Sequence, residues 1–206
     1  MQKMSLSGSG WQLQQRGKEP CYPAQVPGGV HTDLMASGVI SDPFVGDEEL
    51  AVQWVAEADW TYSRTFDVSG ELLKEDRIFL VCDGLDTLGE VRLNGRLVGS
   101  YKDMFIQYRW DVKDLLKAGQ NEIVFDFDSP VRYAREHEEE FTLSGVQPWT
   151  LLGGPYVRKA PCQFGWDWGP MLPPIGIWKD LRLEGYRTAR ISDAHLRQRL
   201  ENGKGI

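Results

Sequence analysis

Two short alternating segments, Glu90-Val91-Arg92-Leu93 and Arg96-Leu97-Val98, are separated only by Asn94-Gly95. A two-residue connection of this kind needs positive φ at both positions. Asn and Gly supply that at the lowest steric cost, so the chain is expected to reverse here as a type I′ β-hairpin. The surrounding sequence keeps the same period. Trp60 to Phe66 mixes β-branched and aromatic residues with partial alternation, and Arg77 to Cys82 reads as a fully buried strand. Phe105 to Trp110 and Glu122 to Phe127 continue the series, the latter with Ile123, Phe125 and Phe127 on one face. Ile177 to Gly185 supplies a late strand. Helical signals are short. Asp111 to Lys117 reads as about two turns, capped by Asp111 and stopped near Gly119. His31 to Ser37 is a single turn before Gly38, and Val131 to Glu140 is a helix ending in the solvated charge run Glu136 to Glu140. Many short strands with few helices predict an antiparallel β-sandwich, without internal repeat.

The 206 residues suit one large domain, or one domain and a stub. Net charge is −7 and the basic residues are scattered, which argues against nucleic acid or an anionic membrane as partner. No apolar run approaches the roughly 20 residues of a transmembrane helix, and Met1 to Gly10 lacks the apolar stretch of a signal peptide. The expectation is a soluble, cytoplasmic protein. Cys21, Cys82 and Cys162 form no close pair and cannot all be joined within one chain; Cys82 reads as a small core residue. His31, His137 and His195 are far apart, each expected on the surface or hydrogen-bonded, and neither a metal site nor a cofactor is expected.

The densest chemistry lies in Gln163-Phe164-Gly165-Trp166-Asp167-Trp168-Gly169-Pro170. Two indoles bracket one carboxylate, with a glycine on each side and a proline as a stop. The apolar C–H face of a pyranose can lie on an indole while a short carboxylate accepts hydrogen bonds from its hydroxyls. The glycines allow close approach of backbone and ligand, and Pro170 restricts the end of the loop. A second reading stands beside this one: tryptophans in β-rich domains are most often core, and Asp167 then satisfies a turn amide.

Several segments resemble the N-terminal domain of a β-mannosidase of glycoside hydrolase family 2. They are Val26 to Leu34, Asp42 to Gly46, Asp59 to Tyr62, Asp83 to Thr87, Val91 to Gly95, Asp111 to Leu116, and Tyr156 to Ala160 through the Trp-Asp-Trp run to Trp178. The resemblance runs from about Trp11 to Tyr186, a length suited to one domain. It implies a jelly-roll, galactose-binding-like β-sandwich over 1–187, leaning over the mouth of a catalytic (β/α)₈ barrel. Residues 188–206 are then the truncated start of a following β-sandwich domain: Ala189 to Gln198 alternates like a strand, and the polar end to Ile206 has no partner to order it. Trp166, Asp167 and Trp168 are implied to contact the terminal mannose of a β-mannoside oligosaccharide.

Retaining glycosidases use two carboxylates about 5–5.5 Å apart. In this family both are glutamates of the barrel, which takes about 250 residues of alternating strand and helix. The chain carries no such pattern, so it is expected to hold no catalytic residue and to be inactive alone. Asp83 and Asp86 are expected at a turn or strand end rather than as a catalytic pair. Two other functions compete, a stand-alone lectin-like module and a purely structural docking domain. The unpaired stretch after Tyr186 favours the enzyme-domain reading.

Overall fold

The computed structural model describes residues 1–138, 150–151, 154–201 and 204–205. The chain opens with three strands, β1 (Gln2–Ser5), β2 (Gly8–Gln15) and β3 (Cys21–Val26), followed by helices α1 (Val30–Ala36), α2 (Glu48–Ala51) and α3 (Trp54–Glu57). Next come β4 (Trp60–Val68), α4 (Gly70–Leu73), β5 (Arg77–Cys82) and β6 (Leu85–Asp86). The hairpin β7 (Gly89–Leu93) and β8 (Arg96–Tyr101) leads to β9 (Tyr108–Asp111), β10 (Gly119–Phe127) and helix α5 (Pro130–Glu138). Two late strands, β11 (Gly176–Ile177) and β12 (Leu181–Tyr186), complete the sheets.

Six strands in the order β3-β2-β4-β10-β7-β8 face four in the order β1-β12-β5-β9, and β11 pairs with β6. All these pairings are antiparallel. The fold is an all-β, jelly-roll-type sandwich with a few short helices.

Period-2 alternation places the core. In β10, Ile123, Phe125 and Phe127 are fully buried while Glu122 is exposed. They meet Trp11, Leu13, Tyr62, Val91 and Leu93 of the same sheet, and Ile78, Leu80, Leu181 and Leu183 of the other. Each such side chain contributes about 1.5–3 kcal/mol through burial. The rings add directional contacts, Tyr62 edge-on to Phe127 at 5.8 Å and Trp11 tilted to Phe125 at 6.0 Å. Cys82 is buried in this core, and all three cysteines are free.

The hairpin forms at the expected residues. Asn94 (φ 51°) and Gly95 (φ 77°) make the turn, with Leu93 opposite Arg96. Asn94 also donates through Nδ2 to Leu115 O and to Asn121 Oδ1, both at 2.8 Å, which ties the turn to the start of β10.

Several expectations need correction. Arg77–Cys82 is not fully buried, since Arg77 is exposed and Phe79 half-buried. Ala189 to Gln198 forms no strand, while Glu139 and Glu140 of the expected helix lie outside the described residues. The strand anticipated from Phe105 begins only at Tyr108, because Asp103 Oδ1 accepts from Phe105 N (2.8 Å) and holds a turn, leaving Phe105 and Ile106 exposed. Asp111 to Lys117 is not two helical turns. Asp111 stays in β9 opposite Phe79, Lys113–Leu115 makes one 3₁₀ turn, and Leu116 is already extended. Ile177 to Gly185 is two strands, broken at Trp178 to Asp180.

Two margins of the sheets matter later. Edge strand β3 carries Pro23, and a Cβ on Gly99 of edge strand β8 would fall 2.3 Å from the Trp110 Nε1 of β9. After Tyr186, Arg187 to Arg199 is exposed and forms no strand or helix. Beyond it Leu200–Glu201 pairs with Lys204–Gly205. Among the described residues, no helix is long and apolar enough to cross a membrane.

Candidate functional site

Trp166, Asp167 and Trp168 occupy one tight reversal between a 3₁₀ turn, Pro161–Phe164, and β11. Trp166 N donates to Gly169 O at 2.9 Å, and Gly169 N returns a bond to Trp166 O at 3.2 Å. The backbone therefore closes the turn by itself. Asp167 is exposed and makes no hydrogen bond or ion pair among the described residues. Trp166 is 49% exposed and Trp168 is 72% exposed, so neither is core. The described residues thus show neither a buried tryptophan in this turn nor a turn amide on the Asp167 carboxylate. The arrangement displays two indoles and one carboxylate whose lone pairs remain available to hydroxyl donors.

The feet of this turn are fixed while its tip is bare. On the leading side Phe164 is buried against Leu88, Val131, Ala134 and Val157, and its carbonyl accepts from Leu151 N at 2.9 Å. Gly165 follows with φ 113°, a conformation that side chains rarely adopt, and a Cβ there would lie 2.7 Å from Met171 Cγ. Met171, on the trailing side, therefore packs directly beneath the start of the turn. Its own backbone is held by Glu49 of α2 and by Gln53 of the turn between α2 and α3. Met171 N donates to Glu49 Oε2 (3.0 Å), and Met171 O accepts from Gln53 Nε2 (2.8 Å).

Deeper in the loop, Lys159 is buried with its side chain fully inaccessible. Its Nζ donates to Asp86 Oδ2 at 2.5 Å and to Pro174 O at 2.7 Å. Burial pushes the Lys159 ammonium down to about 8, and the Asp86 charge opposes that shift without cancelling it. Asp86 thus has a structural ion pair inside β6, and Asp83 accepts from Arg182 Nη1 (2.6 Å) and Gln107 Nε2 (2.7 Å). Neither forms a catalytic dyad with the other. The residue pattern alone does not reveal the contacts Lys159–Asp86, Glu49–Met171 and Gln53–Met171, which join residues 73 to 122 positions apart.

His31 departs from its expectation as a surface or hydrogen-bonded residue. Its Nε2 is buried with no partner among the described residues. Burial first, and the nearby Lys159 charge second, lower its pKa to about 4, so the ring is neutral at pH 7. His137 instead contacts Tyr133 O through Nδ1 at 2.8 Å. Among the described residues no three His, Cys, Asp or Glu side chains are grouped as a metal ion would require.

Comparison with known proteins places this geometry in a family. Residues 11–179 match the family model described as glycosyl hydrolase 2 galactose-binding domain-like. The chain is 35% identical over 196 residues to the goat β-mannosidase, covering 92% of this chain and 22% of that protein. It is 40% identical over 173 residues to β-mannosidase B of Emericella nidulans, covering 82% and 20% respectively. The crystal structure of a β-D-mannosidase from Dictyoglomus thermophilum superimposes with a TM-score of 0.89 at 40% identity, over 94% of this chain and 24% of that one. The chain thus spans about a fifth to a quarter of the length of these relatives. The matched span carries the exposed turn, the Glu49–Gln53–Met171 contacts and the buried Lys159–Asp86 pair, and on that match the chain belongs to the glycosyl hydrolase 2 galactose-binding domain-like family.

Proposed function

We propose that this chain is the N-terminal domain of a retaining β-mannosidase and that its exposed Trp166-Asp167-Trp168 turn forms one wall of the pocket for a terminal β-mannose. The observation that carries this reading is the Asp167 carboxylate, without a partner among the described residues, between two exposed indoles on a turn with fixed feet. Asp167 accepts hydrogen bonds from ring hydroxyls, and an indole covers the apolar face of the sugar. The β-mannosidases at 35 and 40% identity support the choice of sugar.

One turn makes one wall, whereas a ligand pocket encloses most of its ligand. The remaining walls and both reacting carboxylates belong to a catalytic barrel in the same parent chain, and 188–206 leads into the domain that follows. Positioned contacts of this sort act by holding the ring and by strengthening as it distorts towards the transition state.

The test is Asp167→Ala in the full-length parent. A hydrogen bond to a charged group is worth about 1.5–3 kcal/mol, so kcat/KM is expected to fall about ten- to a hundredfold or more, with the melting temperature unchanged. Because Asp167 supports no other group among the described residues, near-normal kcat/KM with a lowered melting temperature would refute the contact. Micromolar affinity of the isolated chain for a mono- or disaccharide would favour a lectin-like module instead.

A further inference from the structure

Among the described residues the Trp166-Asp167-Trp168 turn makes no side-chain hydrogen bond, so its backbone and what packs against it set where its carboxylate and indoles point. The leading foot is anchored by Phe164 in the core and by the Leu151–Phe164 backbone bond. On the trailing side, the first residue after Pro170 is Met171, and both of its backbone polar groups are taken by side chains of one short segment. Glu49 Oε2 accepts from Met171 N (3.0 Å), and Gln53 Nε2 donates to Met171 O (2.8 Å). The same Gln53 Nε2 donates to Glu49 O at 2.7 Å, which locks the two grips to each other. Glu49 lies in α2 and Gln53 just beyond its end, and the Gln53–Glu49 bond brings both side chains to Met171 from the same side. The Met171 side chain then packs against Gly165, whose absent Cβ would stand 2.7 Å from Met171 Cγ. The path from Glu49 and Gln53 to the tip is thus short: Met171, Gly165, then Trp166 in its closed pair with Gly169.

We infer that Glu49 and Gln53 are positioning residues that clamp Met171 and thereby fix the orientation of the Trp166-Asp167-Trp168 turn. The value of this clamp for sugar recognition rests on the proposed role of the turn, but the clamp itself does not. Both side chains are only partly buried and sit outside the main core, so removing them affects the turn without dismantling the sandwich. The bond from Met171 N to a carboxylate is charge-assisted and is the stronger of the two grips. Glutamine at position 49 still offers an oxygen acceptor of the same reach; alanine offers none.

The experiment labels the tryptophans of the chain with 5-fluorotryptophan and follows them by ¹⁹F NMR in the wild type, Glu49→Ala, Gln53→Ala and Glu49→Gln. Single Trp→Phe variants assign the signals. Glu49→Ala and Gln53→Ala are expected to shift or broaden the Trp166 and Trp168 signals while those of Trp11 in the core and Trp110 on β9 stay in place. Glu49→Gln is expected to restore the wild-type positions. Unchanged Trp166 and Trp168 signals in both alanine variants would overturn the inference. So would displacement of all four signals together, which would make the two residues general supports of the fold. Addition of mannose to the wild type separates the two ideas. A clamp effect without any sugar-dependent shift, even at saturating sugar with the parent enzyme's barrel present, leaves the clamp standing and removes the sugar contact.

Discussion

Lys159→Met tests how the sandwich holds the loop that carries its exposed turn. Methionine keeps an unbranched apolar stem of similar length in the same channel, so the change removes the ammonium with little loss of packing. Asp86, only 2% exposed, is then left with the Thr87 hydroxyl as its remaining side-chain donor, and Pro174 O loses its Lys159 bond. Breaking a buried ion pair on one side costs about 3–5 kcal/mol, because the orphaned charge stays in the interior. A domain of this kind has about 5–15 kcal/mol in total, so the variant should unfold at a markedly lower urea midpoint. The double change Lys159→Met with Asp86→Ala leaves no buried ion without a partner and is expected to recover at least about half of the loss. Urea denaturation of the wild type, the single and the double variant gives the comparison at constant slope. A single variant that loses under about 1 kcal/mol, or a double variant as unstable as the single, would refute the view that the pair is buried and coupled.

Three further outcomes follow from other features. The isolated chain should release no chromophore from a chromogenic β-mannoside above background, since the two carboxylates that the reaction needs lie outside the proposed role of this domain; turnover that survives repurification and disappears on mutation of this chain would disprove it. Its dissociation constant for mannose should be about millimolar or weaker by calorimetry, because one exposed wall makes few contacts and must still order its side chains. His31 has a folded pKa near 4, below its unfolded value of 6.5, so the unfolded chain binds a proton that the folded chain refuses in that window. Its contribution is full above about pH 6.5 and falls by up to about 3 kcal/mol as the pH drops towards 4; denaturation curves of His31→Gln should lack that share of the acid loss, and an identical pH profile would count against it.

Local chemistry explains which parts were legible in the sequence. The Asn94-Gly95 reversal and the alternation of Ile123, Phe125 and Phe127 are properties of a few adjacent residues, and the structure keeps both. The first three strands carry weaker signals. Gly8-Ser9-Gly10 opens β2 with two residues at positive φ, and Pro23 sits within β3, so strand formation there depends on pairing, β3 with β2 and β2 with β4, rather than on propensity. The error at Phe105 arose because the Asp103 side chain competes with the sheet for the Phe105 amide. At the site, the cluster of Trp166, Asp167 and Trp168 was visible because its members are consecutive. The contacts of Glu49, Gln53 and Lys159 were invisible, because each forms only when distant chain segments meet.

Trp110 has a consequence for how this domain behaves when made apart from any partner. It lies on the margin of the four-stranded sheet, yet its indole covers Gly99 on the margin of the six-stranded sheet so closely that no side chain fits there. The indole thus closes the space between the two margins at Gly99. At the opposite margin of the larger sheet, Pro23 withholds one amide from β3, and the remaining margin, β1, is four residues long and carries Lys3. Short length, a missing donor and a charge are the devices that discourage foreign backbone from adding to a sheet. At those two margins the sandwich is thereby guarded against added backbone, and self-association there should run through its exposed apolar loop side chains instead.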